Sequence, residues 1–389
     1  MKFASPLVSA ILCALLVTQS ASDAADASGA RVRKAVDDAI QPLMAKNNIP
    51  GMAVAITIAG KSTVFNYGVA STDTRKPITA DTMFEIGSVT KTFTATLTSW
   101  AQVNNHLSLS DKVDNYLPSL RNTPFGNLSL LNLGTHTSGG LPLQLPGDVR
   151  NDDQLMQYLN AWRPSHPPGT YRTYTNPGIG MLGVITAKSM GQDFIALMEQ
   201  HLFPALGMTS SFINIPANRM ADYAQGYTTE GKPVRMSAGV LSSEAYGIKS
   251  TATDLIHFVE ANMNLLKLDG KLLSAITSTH TGYFQARVMT QDLIWEQYRY
   301  PIELKTLLEG NSSTMIFNAN PVTEIKPPQA PQQNVWINKT GSTNGFAAYV
   351  AFIPEKRLGI VILANKSYPI EERVVVAYKI LTSFANMEK

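Results

Sequence analysis

Two pairs of apolar, β-branched runs lie at opposite ends of this chain, and a fold must either unite them or find each a separate cover. Near the start, "MAVAITIA" and "STVFNYGVA" are parted only by Gly60 and Lys61, the pattern of a hairpin. Near the finish, "FAAYVAFIP" and "LGIVILAN" repeat that character. Each pair has a helical neighbour. "RVRKAVDDAIQPLMAKNNIPG" spaces Val36, Ile40, Leu43 and Met44 along one helical face and stops at Pro50-Gly51, while "EERVVVAYKILTSFANMEK" closes the chain. Strands at both ends with a helix at each terminus predict one antiparallel sheet, assembled from distant segments and flanked by the terminal helices.

Between these ends the composition turns to helical segments joined by loops such as "WRPSHPPGTYRTYTNPG" and "HTSGGLPLQLPG". The fold class expected is therefore α/β in the α+β sense: a sheet domain from residues 25–84 and 240–389, interrupted by a mainly helical region over 85–239. A chain of 389 residues exceeds what one core usually serves, so a bipartite body with a cleft between its halves is expected. The net charge of +3, without runs of Lys or Arg, speaks against a nucleic-acid or membrane-surface partner. A monomer acting on a small molecule is the expectation.

The first residues combine Lys2, an apolar stretch from Leu7 to Val17 and then small side chains, the pattern of a cleaved signal peptide over 1–24. Cleavage after Ala24, with Ser22 at the minus-three position, fits best. The apolar stretch is too short to span a bilayer comfortably. Export to the periplasm follows as an expectation. The single cysteine, Cys13, falls inside this segment behind Leu12, which does not suit a lipoprotein site; the mature chain then has no disulfide and no thiol chemistry.

"FEIGSVTKTFT" sets Ser88 three positions before Lys91 where a loop gives way to a helix. Val89, Phe93, Leu97 and Trp100 trace one apolar helical face behind it, so Ser88 opens the helix and Lys91 stands one turn on, above the hydroxyl. Free N–H groups at a helix start also favour developing negative charge. An ordinary reading is available: Ser88 as a helix cap and Lys91 as a solvated first-turn residue. Two further stretches bear on the choice. "YRTYTNPGIG" carries Tyr174 and Asn176 in a Pro/Gly-flanked loop, and "WINKTGSTNGF" carries Lys339, Thr340 and Gly341 ahead of a strand.

In the order Ser-x-x-Lys, Tyr-x-Asn, Lys-Thr-Gly, the chain resembles the serine β-lactamase and penicillin-binding protein superfamily, and within it the class C β-lactamases. The likeness runs from about residue 30 to the C-terminus through "GMAVAI", "LLNLGTHTSGGLPLQ", "LFPALGM", "AYGIKST" and "LANKSYP". What it implies is acyl transfer with Ser88 as nucleophile, Lys91 and Tyr174 sharing the role of base, Lys339 beside them, and an oxyanion hole from the backbone N–H groups of Ser88 and Ser342. Gln144 and Asn176 match the family's amides for the substrate's acylamino group, and Lys339 with Thr340 would face its carboxylate. Gly341 would let the substrate's backbone lie close to the strand. Ile370 stands where many relatives carry asparagine near the carboxylate, leaving Ser367 and Arg373 as polar candidates there. No cofactor or metal is implied.

The chemistry sets a demand on the base. Lysine and tyrosine ordinarily titrate near 10, and bringing either to neutral pH takes roughly 4 kcal/mol of differential interaction. Two lysines close together would disfavour each other's charge and stabilise a phenolate between them.

Other hydrolase classes fit less well. The histidines at 106, 136, 166, 201, 257 and 280 are scattered without zinc-ligand spacing, and His136 in "THTSGG" reads as a structural loop residue. No Gly-x-Ser-x-Gly elbow is present, and the Ser-Asp-Asn and Glu-x-x-Asn motifs of class A enzymes are missing. A D-alanyl-D-alanine peptidase or an esterase of the same fold, or a non-catalytic peptidoglycan sensor, could carry the same motifs.

Overall fold

The computed structural model describes residues 29–385, so the expected signal segment 1–24 lies outside the described residues. The two ends of the chain do meet. Strand Gly51–Ile58 pairs antiparallel with Lys61–Gly68 on one side and with Leu358–Ala364 on the other, Met52 standing opposite Ala364. Leu358–Ala364 then pairs with Ala347–Ile353, and that strand with Val335–Ser342.

Alternation of side chains across the pleat explains why these runs are apolar throughout. Val54, Ile56, Ile360 and Ile362 point to the face covered by the helix over residues 29–47 and by helix Ile370–Ala385. Ala53, Ala55, Val361 and Leu363 point the other way, onto helices Thr90–Val103 and Ala252–Asn262 through Phe93, Leu97, Phe258 and Val259. With both faces covered, strands Ala347–Ile353 and Leu358–Ala364 are buried at every position. A third core, with Leu133, Leu182 and Ile185, fills the helical region on the far side of Thr90–Val103.

The sheet also continues where the sequence had not led us to expect strands. Beyond Val335–Ser342 it runs through Glu296–Arg299, Met289–Gln291, Gly282–Ala286 and Asn320–Gln329 to a two-residue strand, Tyr171–Arg172, making 10 strands in all among the described residues. Its last strand delivers the chain to Tyr174.

Helix Thr90–Val103 is buried on nearly every side although threonine is a poor helix former. Three of its hydroxyls bond back to the preceding turn, Thr92 donating to the carbonyl of Val89, Thr96 to Thr92 and Thr98 to Thr94, each at 2.8 to 2.9 Å, while Thr94 donates outward to the carbonyl of Glu244 at 2.6 Å. Val89, Phe93 and Leu97 bury the apolar face read from the sequence, with Trp100 packed at its margin.

Candidate active site

Ser88 lies in a single 3-10 turn, Gly87–Val89, that leads directly into helix Thr90–Val103. Its hydroxyl caps nothing at the helix start. Instead it accepts a hydrogen bond from Lys91 Nζ at 2.8 Å, while that amine also donates to the carbonyl of Ala245 at 2.9 Å. Lys91 is wholly buried, so the reading of a solvated first-turn lysine does not hold.

Two glycines bring the serine turn against the strand edge. Gly87 adopts φ +52°, and a Cβ there would lie 2.5 Å from the backbone nitrogen of Ser342. A Cβ on Gly341 would lie 1.9 Å from the carbonyl oxygen of Ile86. The space that Gly341 leaves on its Cβ side is filled by the chain just ahead of Ser88. Close contact of turn and strand sets the backbone of Ser88 beside that of Ser342.

Tyr174 is the third partner. The amines of Lys339 and Lys91 lie 5.0 and 5.3 Å from the centre of its ring. Burial alone would push the phenol's pKa up, but the charges of Lys339 and Lys91 and a hydrogen bond with Ser88 outweigh it and bring the group down to about 8. Burial likewise draws Lys91 down to about 8, against the pull of the Tyr174 phenolate and with help from Lys339. Lys339 is pushed down by burial too, yet the carboxylate of Glu296, 3.7 Å away, and the phenolate of Tyr174 carry it above its usual range. The cluster therefore holds one lysine biased toward its charged form and two groups drawn down to about 8.

These groups open onto a cleft of about 670 Å³. Ser88, Gln144, Tyr174, Asn176, Lys339 and Thr340 all line it, as does Ser342. Three segments distant in the chain thus converge on one opening.

The Beta-lactamase family model matches residues 36–383. The chain belongs to the Beta-lactamase family. A Beta-lactamase of Pseudomonas fluorescens is 51% identical over 352 residues, which cover 90% of this chain and 98% of that protein. Among solved structures, a class C beta-lactamase in complex with cefoxitin superposes with a TM-score of 0.89 at 52% identity, covering 91% of this chain and 99% of the other. A D-alanine carboxypeptidase AmpC from Burkholderia cenocepacia matches with the same TM-score at 57% identity, again over 91% and 99%.

The remaining residues fall at different distances from this β-lactamase-family centre. Asn176 is the first residue of helix Asn176–Met190, whose cap is the hydroxyl of Thr175. Freed from capping, the Asn176 side chain is buried with its amide oxygen unpaired at the wall of the cleft. Gln144 is an exposed rim residue. Ile370 also lines the cleft, but Ser367 and Arg373 do not. Arg373 is 1% exposed, and its Nη1 donates to the Gly341 carbonyl at 2.6 Å and to Ser342 Oγ at 3.0 Å, while Nη2 donates to the Tyr368 carbonyl at 2.7 Å. Its guanidinium is a brace behind the strand edge, not a free cation facing the ligand.

Two charged residues escaped the sequence reading. Arg172 pairs with Glu296 at 3.1 Å and donates to Gln291 Oε1 and the Met315 carbonyl, both at 2.6 Å. Glu296 in turn faces Lys339, and its other oxygen accepts from Asn338 Nδ2 at 3.2 Å. The signal that could have revealed Arg172 was its position two residues before Tyr174, on the same side of an extended segment.

Proposed function

We propose that the chain hydrolyses β-lactam antibiotics, cephalosporins favoured, through a covalent acyl-enzyme on Ser88. The observation that carries the reading is the buried contact of Lys91 Nζ with Ser88 Oγ at 2.8 Å, beside a phenol whose proton two lysine charges loosen. The coupled pair Lys91 and Tyr174 takes the hydroxyl proton as Ser88 Oγ attacks the ring carbonyl. The backbone N–H groups of Ser88 and Ser342 receive the developing oxyanion, a contribution typically of about 3 kcal/mol per donor. As the C–N bond of the ring breaks, the proton held by the pair passes to the departing nitrogen. Water then attacks the ester carbonyl, giving its proton to the same pair, and Ser88 leaves with a proton restored.

Lys339 and Thr340 hold the substrate carboxylate, and Asn176 with Gln144 contacts the acylamino side chain; the unpaired oxygen of Asn176 supports that role. The apolar Ile370 makes the carboxylate wall poorer in donors, which puts more weight on Lys339. The leader-like residues 1–24 support a periplasmic enzyme.

Steady-state assays of the purified protein on a chromogenic cephalosporin and on a penicillin test the reading. Many turnovers per enzyme, faster on the cephalosporin, are expected, with Ser88→Ala abolishing them. A second reading, a D-alanyl-D-alanine carboxypeptidase, is favoured by the 57% identity to the protein named D-alanine carboxypeptidase AmpC. A single stoichiometric acylation that stalls on the cephalosporin, with release of D-alanine from a wall peptide, would support it instead.

A further inference from the structure

His136 sits on the site without a part in the chemistry so far. It is fully buried, in the left-handed region at φ +60°, a backbone state that a non-glycine residue adopts at a cost. Three of its groups reach the Tyr174 segment. Its main-chain carbonyl accepts the N–H of Thr173 at 2.8 Å. Its ring Nδ1 accepts the N–H of Thr175 at 3.3 Å. Its ring lies against the phenol itself, the two centres 4.4 Å apart and the planes tilted by 37°.

We propose that His136 is the positioning residue of Tyr174, gripping the residue before, the residue after and the ring between them, so that the phenol oxygen stays within hydrogen-bonding reach of Ser88. The backbone at φ +60° accompanies this grip, the carbonyl and the ring of one residue both meeting the same tripeptide. An Nδ1 that accepts a backbone N–H carries no proton, so the imidazole is neutral with its hydrogen on Nε2. Burial, and the charges of Arg172, Lys91 and Lys339 around it, hold it in that form. A neutral ring adds contact area to the phenol without adding a further cation to Lys339, Lys91 and Arg172, whose charged groups already lie 5.0, 5.3 and 5.4 Å from the ring centre.

This inference rests on the reading of Tyr174 as half of the catalytic base, and a double-mutant cycle separates the two. His136→Gly tolerates the backbone and removes ring and acceptor together; His136→Asn also tolerates φ above zero and keeps an acceptor oxygen. With a cephalosporin as substrate, His136→Gly should lower kcat by about 10- to 100-fold, the effect of a catalytic group misplaced by an ångström, with KM nearly unchanged. His136→Asn should recover part of the loss. In a Tyr174→Phe background, already slow, the His136→Gly change should cost less than about twofold, because there is no phenol left to position. A Tyr174→Phe enzyme with full activity would remove the base reading itself. With Tyr174→Phe impaired, two results would overturn the inference alone: His136→Gly with kcat within about twofold of the parent, or losses that multiply in the double variant.

Discussion

At the scale of single residues, the proposed mechanism turns on the proton economy of Lys91 and Tyr174. Both are drawn down to about 8, Lys91 chiefly by burial and Tyr174 by the lysine charges that outweigh burial. A base acts in its deprotonated form, so kcat/KM should rise with pH and level off above about 8, falling about tenfold per pH unit below that point. Lys339 presses on both partners: its charge lowers the pKa of Lys91 and of Tyr174 alike. Lys339→Met should therefore shift the ascending limb to higher pH, in addition to raising KM for a carboxylate-bearing substrate. A limb that moves to lower pH in pH-rate profiles of the variant would contradict the electrostatic account. Serine, lysine and tyrosine were legible from motif spacing, but Arg172 and Glu296 were not. Their meaning lies in a pairing across 124 positions, and a lone Glu in "IWEQY" has nothing in its neighbours to mark it.

At the scale of elements, the site depends on how closely the turn Gly87–Val89 approaches the edge of strand Val335–Ser342. Gly341→Ala would put a methyl group 1.9 Å from the Ile86 carbonyl, a backbone atom that cannot swing aside. The turn must shift, at a cost of about 1–3 kcal/mol in stability, and the two oxyanion donors should lose their common focus. Thermal denaturation and kcat measured together should both fall. An alanine variant with wild-type kcat would mean that this approach is not what aligns the donors. The sequence motif marked Gly341 but not its neighbour, since only the folded chain reveals that the space is taken by Ile86. The same limit applies to strands. Leu358–Ala364 is apolar at every position because both faces are covered, whereas Glu296–Arg299 is short and carries Glu296 into the buried charge network, so its period is masked.

At the scale of the whole molecule, the sheet joins the first and last thirds of the chain, and the helical region supplies Ser88, Lys91 and Tyr174 against its edge. Stability of the sheet and geometry of the site are then separable. Ile360 is fully buried in the central strand beneath the terminal helices, remote from the cleft lining. Ile360→Ala should cost about 2–5 kcal/mol in chemical denaturation while leaving kcat per folded molecule unchanged. A fall in kcat at full folding would show that the site feels the far face of the sheet. The union of the chain ends was readable because four apolar runs need one shared cover; the extension of the sheet to Tyr171–Arg172 was not, because a two-residue strand leaves no period to read.

Whether Ser88 becomes acylated is the most direct question that can be put to this account. Intact-protein mass spectrometry on the enzyme quenched during cephalosporin turnover, followed by peptide mapping, answers it. The prediction is a transient adduct on the peptide containing Ser88, gone as substrate is exhausted and never formed in Ser88→Ala. Hydrolysis that continues in Ser88→Ala, or an adduct on another residue, would contradict it.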